Sequence, residues 1–377
     1  MEWSAQQAAA LSAVNTWFHN KKGNQIFRLF GYAGTGKTTL AKHFAKDVMG
    51  QVTYLAYTGK AALEMRKKGC DDATTIHSAI YRAIEDPVTG IFEFELNRTS
   101  DIAYSKLIIV DEVSFVGETL AKDLMSFGIK ILVLGDPAQL PPIGEDGYFI
   151  NSEPDYFLTE IHRQAQDNPI IWMSMQVREG KILKPGDYGS SKVVLRKEMG
   201  SDFMQENALS VDQVICGLNK TRAALNKSIR RLRGLVGTID ENHPVVGDKL
   251  ICLRNNRQKG FLNGGMWEVV YRNPTFSEKP INHLRLQIKS EDDPRLRNVI
   301  VKVLEENFFR SDSEIDWKIR KKYDDFTFGQ AITCHKAQGS QWDKVMGFDE
   351  SYVFGENQSK WLYTMITRTA EDIIIVK

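Results

Sequence analysis

The sequence lacks the features that mark several classes of protein. Only four of its 377 residues are cysteines, and their spacing gives no paired set of metal ligands; they are Cys70, Cys216, Cys252 and Cys334. No apolar run approaches the roughly 18 residues that span a bilayer, and the first residues are acidic and polar. These absences argue against a zinc site, an iron–sulfur cluster and a membrane protein. We expect a protein of the reduced cytoplasm, in a bacterial or phage-infected cell.

An excess of either charge is also missing. The net charge is +1, so any contact with nucleic acid must come from a local groove rather than from an overall field. Hydrophobic residues make up 42% and charged residues 26% of the chain, which is typical of a soluble globular protein. Because one core rarely serves a chain of this length, we expect two or three.

The N-terminal part alternates short apolar runs with helix-like stretches. The runs end in Gly, Asp or Thr-Gly, as buried parallel strands with crossover helices do; they are residues 26–31, 52–57, 107–112 and 130–135. Residues 41–49 and 60–68 are two of the predicted helices. The pattern predicts an α/β domain over residues 1–80 and 105–163.

Two insertions interrupt the predicted α/β pattern. Residues 81–104 contain a turn signal followed by alternating apolar and acidic residues, which predicts a small exposed hairpin. A second α/β domain is predicted over residues 164–235 and 325–377. Between its parts, residues 236–324 contain short β-type runs separated by Gly and Asn-Pro turns, which predict a small β barrel.

A glycine-rich loop follows the first predicted strand. Residues 31–38 are Gly-Tyr-Ala-Gly-Thr-Gly-Lys-Thr, the P-loop pattern, and helix-forming residues follow. Backbone N–H groups of such a loop bind phosphates, while Lys37 reaches the outer phosphates and Thr38 ligates Mg²⁺. The predicted nucleotide-binding residues are Gly31, Ala33, Gly34, Thr35, Gly36, Lys37, Thr38 and Thr39.

A later predicted strand ends in two adjacent carboxylates. Asp111 is placed to hold the Mg²⁺ together with Thr38, and Glu112 to polarise the attacking water. Kinases and GTPases also have P-loops. These two motifs therefore do not distinguish a phosphoryl transferase from a motor.

Further strings resemble superfamily 1 helicases. Residues 135–142, Gly-Asp-Pro-Ala-Gln-Leu-Pro-Pro, are similar to motif III, whose glutamine senses the γ-phosphate of ATP; Gln139 has that place here. Near the N-terminus, Gln7 matches the glutamine that reads adenine in this family, with the register open by one residue. Ser4 in the same string serves equally well as a helix N-cap.

Two arginine-bearing strings extend the resemblance. Residues 158–164, Leu-Thr-Glu-Ile-His-Arg-Gln, are similar to the segment that joins the two motor domains, and residues 362–368, Leu-Tyr-Thr-Met-Ile-Thr-Arg, to motif VI. The resemblance implies that Arg163 and Arg368 are arginine fingers. ATP would then bridge two domains, and its hydrolysis would let the cleft open.

Three strings resemble motifs that contact the nucleic-acid backbone. Residues 57–62 and 74–77 are similar to motifs Ia and Ib, although a helix N-cap and an ordinary partly buried histidine explain them equally well in isolation. Residues 331–340, Ala-Ile-Thr-Cys-His-Lys-Ala-Gln-Gly-Ser, closely resemble motif V of the RecD-like and Dda-like branch, superfamily 1B. Gln341 then replaces the usual acidic residue. The implied contacts are Thr58, Gly59, Lys60, His77, Thr333, His335, Lys336 and Gln338.

Four aromatic residues have two readings. Phe92 or Phe94, in the predicted hairpin, would act as a wedge at the duplex junction, or would be core residues. Trp267 or Trp342 would stack on a base, or would likewise be core residues.

The resemblance implies an α/β fold of two RecA-like P-loop NTPase domains. A β-hairpin pin is expected in the first and an SH3-like β barrel in the second. The implied function is that of an ATP- and Mg²⁺-dependent helicase, a monomer moving 5′ to 3′ on single-stranded DNA and unwinding forked or tailed duplex. An RNA-directed helicase, or a RecD-like accessory subunit with replication or recombination partners, remains an alternative.

Overall fold

The computed structural model describes residues 3–85, 92–141, 147–160, 168–200, 202–236, 241–256, 259–273, 276–278, 281–309 and 315–377. They group into two compact units. The first runs to Lys181 and also includes Ser359–Thr367, and the second comprises Ile182–Gln358 and Arg368–Lys377. Within the described ranges, no helix is long and apolar enough to cross a membrane.

A parallel sheet forms the centre of the first unit. The described strands of this unit are β1 Ile26–Gly31, β2 Val52–Ala56, β3 Thr74–Thr75, β4 Tyr81–Glu85, β5 Phe92–Leu96, β6 Leu107–Asp111, β7 Lys130–Gly135 and β8 Tyr156–Leu158. Six of them pair in the order β3-β2-β6-β7-β1-β8, all parallel. Along β6, Leu107 and Ile109 enter one apolar cluster, and Ile108 and Val110 enter another. Burial on both faces explains the unbroken apolar runs of the sequence.

Helices flank this sheet. They are α1 Ala5–His19, α2 Lys37–Ala45, α3 Gly59–Lys67, α4 Ile76–Ile80, α5 Glu118–Met125 and α6 Pro169–Arg178. The helix predicted at residues 41–49 begins instead at Lys37, because Gly36 adopts a left-handed conformation, φ 82°, and the loop passes directly into the helix. The helix predicted at 60–68 is confirmed within one residue.

The first unit extends beyond the boundary predicted at residue 163. Helix α6 belongs to it, and the Arg178 guanidinium at the end of that helix lies 3.5 Å from the centre of the Tyr32 ring. Cation–π contact of this kind fixes the helix to the loop after β1. Ser359–Thr367 also joins this unit, although its position in the sequence favoured the second domain.

A two-stranded hairpin is confirmed where the first insertion was predicted. Strands β4 and β5 pair antiparallel, with Ala83 opposite Phe94. Phe94 is 69% exposed, which excludes the core alternative for this residue. The side chain of Phe92 lies outside the described residues. On the other face of the hairpin, Arg82 donates to Glu95 at 2.6 Å.

The second unit contains two sheets. Its described strands are β9 Gly186–Tyr188, β10 Ser191–Val194, β11 Gln213–Cys216, β12 Lys249–Cys252, β13 Met266–Arg272, β14 Phe276–Glu278, β15 Ile281–Ser290, β16 Val299–Leu304, β17 Phe326–Phe328, β18 Ala331–Thr333, β19 Trp342–Phe348 and β20 Thr369–Val376. One sheet has the order β18-β11-β19-β20-β10-β9 and is parallel except for β9. The described helices of this unit are α7 Phe203–Ala208, α8 Asn219–Leu232, α9 Trp317–Arg320 and α10 Cys334–Ala337. The next helix, α11 Gln358–Ile366, belongs to the first unit except for its first residue.

The other sheet is antiparallel and lies where the barrel was predicted. Its order is β14-β15-β13-β12-β17, and β16 pairs with β15. Strand β17 was predicted to belong to the α/β domain, but it pairs with β12, so the insertion extends to Phe328. Trp267 is buried against Phe261 and Phe326. It is therefore a core residue and not a base-stacking one.

A buried ion pair fixes this antiparallel sheet to helix α8. Arg230 and Asp248 are 1% and 0% exposed, and the guanidinium donates to both carboxylate oxygens, at 2.7 and 2.9 Å. Gln330 donates to the same carboxylate at 3.0 Å. The insertion and the α/β sheet of this unit are thus held by one desolvated network.

None of the four cysteines forms a disulfide, and all four are buried. Burial raises the pKa of the Cys216, Cys252 and Cys334 thiols to about 12. Among the described residues, no cluster of His, Cys, Asp and Glu could hold a metal ion by itself.

Candidate nucleotide-binding and catalytic site

The P-loop lies between strand β1 and helix α2. Gly34 and Gly36 have φ of 79° and 82°, a conformation in which glycine carries no steric cost. At Gly31 a Cβ atom would lie 2.8 Å from the Leu158 carbonyl oxygen, so β1 approaches β8 as closely as a bare backbone allows. Two glycines therefore shape the turn, and the third permits the packing beneath it.

Hydrogen bonds within the loop set its shape. The Lys37 ammonium donates to the carbonyl oxygens of Gly31 and Tyr32, at 2.7 and 2.9 Å. The hydroxyl of Thr35, which is fully buried, donates to the Tyr32 carbonyl at 2.8 Å. The loop is thus held closed around its own lysine, at the N-terminus of a helix where phosphate binds favourably. The predicted Thr39 is exposed on the first turn of α2.

Thr38 and Asp111 are brought together as predicted from the motifs. The Thr38 hydroxyl donates to the Asp111 carboxylate at 2.8 Å. A hydroxyl and one carboxylate at the end of a P-loop are the oxygen ligands with which Mg²⁺ is held beside a nucleotide, its remaining ligands being phosphates and water. The residues therefore fit an Mg²⁺–nucleotide complex, and the ion would supply charge neutralisation at the phosphates.

Glu112 has an uncommon backbone conformation. Its φ is 53° and ψ 46°, and among the described residues it is the one non-glycine with a positive φ. Its N–H donates to the other oxygen of the Asp111 carboxylate at 2.9 Å. Adjacent residues of a regular strand point to opposite faces. The left-handed turn breaks this alternation immediately after Asp111 and redirects the second carboxylate.

The segment after β7 carries Gln139. Asp136, 3% exposed, accepts from the Ala138 N–H at 3.0 Å and its carbonyl accepts from the Gln139 N–H at 3.1 Å. The side-chain oxygen of Gln139 is buried and has no hydrogen-bond donor within the described part of the chain. Such an acceptor suits the predicted role, since it can take a hydrogen bond from an attacking water.

Tyr363 is a residue of this site that the sequence reasoning missed. Its hydroxyl accepts from the Ala33 N–H in the P-loop at 2.8 Å and donates to the Asp136 carboxylate at 2.7 Å. The next residue, Thr364, accepts from the Leu140 N–H at 2.8 Å. Burial and the neighbouring Asp136 raise the Tyr363 pKa well above its ordinary value. The phenol stays protonated and connects the P-loop with the segment of Gln139.

Two neighbouring glutamines on α1 have different environments. Gln7 is 3% exposed; it completes a capping box with Ser4 and donates to the Thr35 carbonyl at 3.2 Å. Gln6 accepts from the N–H groups of Thr159 and Glu160, at 2.9 and 2.8 Å. The N-cap reading of Ser4 is confirmed, and Gln7 lies against the P-loop. Because the predicted register was open by one residue, Gln6 remains the other candidate for the adenine-reading glutamine.

The two predicted arginine fingers are described unequally. Arg163 lies outside the described residues. Arg368, in the second unit, is 5% exposed, and its guanidinium donates to the Ser340 carbonyl at 3.4 Å. Its own carbonyl accepts from the Trp342 N–H at 2.9 Å. Arg368 is therefore fixed beside the end of the motif V segment.

The predicted contacts in motifs Ia and Ib are only partly available to nucleic acid. Thr58 caps α3 by accepting from the Ala61 N–H at 3.1 Å, which is the capping role considered from the sequence. Lys60, within α3, is 3% exposed and lies 3.8 Å from Glu64. A buried, ion-paired ammonium is not placed to contact phosphate, so that prediction is corrected. Gly59 is also buried, whereas His77 on α4 is exposed.

The motif V segment forms a short helix after strand β18. Thr333 caps α10 by accepting from the Lys336 N–H. Lys336 is exposed, His335 is half-buried, and Gln338 is 8% exposed. Burial lowers the pKa of His335, so the ring is neutral at neutral pH. Lys336 supplies the cation of this segment, and His335 a ring and a neutral hydrogen-bonding group.

The fold and the P-loop geometry define the first unit as a P-loop nucleotide-binding domain. The family model described as AAA domain matches residues 2–193, and the one described as UvrD-like helicase C-terminal domain matches residues 328–376. The chain therefore belongs to the AAA-domain family, in the superfamily 1B helicase branch.

Individual relatives agree with this assignment. The chain is 24% identical to the ATP-dependent RecD2 DNA helicase of Deinococcus radiodurans, over 98% of this chain and 48% of that protein, so it spans about half of that relative's length. It is 23% identical to the ATP-dependent DNA helicase dda of Enterobacteria phage T4, over 92% of this chain and 93% of that protein. A Bacteroides Pif1 helicase, solved with ADP-AlF3 and single-stranded DNA, has the same fold, with a TM-score of 0.59, 17% identity and coverage of 100% and 92%.

Proposed function

We propose that this chain is an ATP-dependent DNA helicase. It moves along single-stranded DNA in the 5′ to 3′ direction, as a monomer, and unwinds forked or tailed duplexes. The observation that carries the proposal is the contact of Thr38 with Asp111 at 2.8 Å, beside the P-loop. That contact supports an Mg²⁺–ATP site, and the relatives of the chain are named ATP-dependent DNA helicases. The direction follows from the superfamily 1B resemblance alone.

The proposed chemistry begins with residues of the first unit. P-loop amides and Lys37 bind the phosphates, Thr38 and Asp111 hold Mg²⁺, and Glu112 polarises the attacking water. Gln139 senses the γ-phosphate. Arg163 and Arg368 act as fingers that stabilise the transition state, so that their loss slows hydrolysis by orders of magnitude.

The first test is steady-state ATP hydrolysis without nucleic acid, with single-stranded DNA and with single-stranded RNA. We expect strong stimulation by DNA, and loss of turnover in Lys37→Ala with DNA binding retained. Lys22→Ala is the matched control, because Lys22 is exposed and outside the site. Preference for RNA would make the chain an RNA helicase. Stimulation by neither would indicate an accessory subunit that needs a replication or recombination partner.

The direction is tested on duplexes with a single tail. A 5′ to 3′ motor loads on a 5′ tail and displaces the strand, whereas a 3′ tail gives no unwinding. Unwinding from the 3′ tail alone would overturn the proposed direction and leave the ATPase assignment in place. Chelation of Mg²⁺ with EDTA should stop hydrolysis on either substrate.

A further inference from the structure

A short segment of the second unit carries an exposed aromatic ring beside motif V. Residues Ser351–Asn357 form a 3₁₀ segment after β19. Tyr352 is 68% exposed there, Val353 is 42% exposed, and Phe354 is half-buried. Single exposed apolar side chains are common in proteins. Exposure alone therefore does not assign a role to Tyr352. The residues around Tyr352 provide the argument.

The base of this segment is fixed to helix α8. Glu350, 5% exposed, accepts from the N–H groups of Gly217 and Leu218, at 2.8 and 2.9 Å, and from the Thr221 hydroxyl. The carboxylate thereby binds the two backbone donors that immediately precede α8 and one hydroxyl in the first turn of that helix. These hydrogen bonds fix the position at which the segment Ser351–Asn357 begins.

Phe354 connects the segment with the motif V helix. The centres of the Phe354 and His335 rings are 5.6 Å apart, at 49°. On another side the Phe354 ring lies over Gly217, where a Cβ would come within 3.2 Å of it. Phe354 thus fills the space that Gly217 leaves open, and the aromatic segment is packed directly on α10.

The charges around this surface suit a polyanion. Lys336 on α10 and Lys220 on α8 are exposed, and Arg222 is half-buried. The Glu350 carboxylate is buried and accepts hydrogen bonds from backbone N–H groups. Within the segment Ser351–Asn357, Glu356 is the exposed carboxylate. Proteins that hold single strands combine cations along the backbone with rings on which the bases stack.

We propose that Tyr352 is a stacking surface for one unpaired base of a single DNA strand whose phosphates are held by Lys336 and Lys220. Phe354 and His335 support this surface from the side of the protein. The proposal rests on the proposed function, because it names the chemical part of the strand that the second unit binds. The site would thus bind the face of a base as well as the charge of the phosphates.

The test compares oligothymidylate with an abasic oligomer of equal phosphate number, by fluorescence anisotropy. Tyr352→Ala should weaken binding of oligothymidylate about 10-fold, within the usual effect of one stacking ring, and leave binding of the abasic oligomer unchanged. Tyr352→Trp should retain full affinity. The control is Tyr104→Ala, because Tyr104 is 72% exposed and precedes β6 at the end opposite Asp111; it should change neither affinity.

The outcomes separate this proposal from the proposed function. If the wild-type protein shows DNA-stimulated ATP hydrolysis and Tyr352→Ala binds oligothymidylate normally, the stacking surface is wrong and the helicase stands. Equal weakening of both oligomers would also overturn it, because loss of a base contact leaves the abasic strand unaffected. If DNA does not stimulate the wild-type protein at all, the proposed function itself fails.

Discussion

At the scale of single residues, Gly31 shows how closely the nucleotide loop is packed. Gly31→Ala would place a Cβ 2.7 Å from the Leu158 Cβ atom. Overpacking of this kind costs about 1–3 kcal/mol, so we expect a lower free energy of unfolding in urea and weaker ATP binding. Gly200→Ala is the control: nothing lies within 4 Å of its Cβ position, and both quantities should stay at the wild-type value. Unaltered stability of Gly31→Ala would show that β8 moves aside freely.

Tyr363 gives a second prediction at this scale. Tyr363→Phe removes the acceptor of the Ala33 N–H and a donor to Asp136, both in a buried site. An unsatisfied buried group costs about 1–3 kcal/mol. We therefore expect the free energy of unfolding of Tyr363→Phe to fall by about 1–3 kcal/mol. ATP hydrolysis should be slower, and the affinity for single-stranded DNA should be unchanged.

The matched control for this variant is Tyr188→Phe. The Tyr188 hydroxyl donates to the Lys184 carbonyl in an exposed turn of the second unit, where water can replace the bond. Its stability and turnover should stay near those of the wild type. If Tyr363→Phe hydrolyses ATP at the wild-type rate, its hydroxyl is structural and does not support the catalytic loop.

What the sequence could reveal about the site depends on distance along the chain. The loop at 31–38 and the strand end at Asp111 are local patterns, so their residue types were found and the structure brings Thr38 and Asp111 together. The Tyr363 contact with Ala33 joins residues 330 positions apart, and a single sequence contains no signal for such a pair. The place of Tyr363 within the string that resembles motif VI was the one local hint.

At the scale of elements, the β4–β5 hairpin carries a prediction about coupling. Phe94 is 69% exposed on this hairpin, so its ring contributes little to the packing of the protein core. Phe94→Ala should therefore reduce strand separation on forked duplex several-fold while DNA-stimulated ATP hydrolysis continues. The two rates are measured on the same preparation, so that their ratio reports coupling.

A control on the opposite face of the same hairpin is Arg82→Ala. The Arg82–Glu95 pair is more than half exposed on both sides, and such pairs contribute little to stability. This variant should unwind normally. A larger fall in hydrolysis than in unwinding for Phe94→Ala would remove the wedge role.

Element identity was easier to predict than element membership. Apolar runs located four of the six strands of the first sheet, β1, β2, β6 and β7, because burial on both faces leaves an unbroken apolar run. The short strands β3 and β8 were not predicted. Apolar runs could not show that β17, Phe326–Phe328, pairs with β12 rather than with the α/β sheet. The reason is physical: an apolar run reports that a strand is buried, and says nothing about which neighbour buries it.

At the scale of the whole molecule, the Arg230–Asp248 pair tests how the second unit is held together. Asp248→Ala leaves an uncompensated guanidinium in a site that is 1% exposed. Breaking a buried pair in this way costs about 3–5 kcal/mol. We expect the second unit of this variant to unfold at a lower urea concentration than in the wild type. Unfolding is measured by tryptophan fluorescence, because Trp267 is in the antiparallel sheet of this unit.

Arg295→Ala is the control in the same unit. Arg295 is 85% exposed and paired with Asp293, so its removal should leave the unfolding curve unchanged. A small effect of Asp248→Ala, comparable with that of Arg295→Ala, would mean that the hydrogen bonds of Arg230 to backbone carbonyls suffice without the carboxylate.

Glu112 places the demands of folding and of chemistry in opposition. A left-handed backbone costs a glutamate about 1–2 kcal/mol, and glycine would adopt the same conformation without that cost. Glu112→Gly should therefore unfold at a higher temperature than Glu112→Ala, although neither hydrolyses ATP. In descendants that keep the fold but lose turnover, position 112 should drift early toward glycine or asparagine. The residue at position 112 would then indicate whether a related chain has lost ATP hydrolysis.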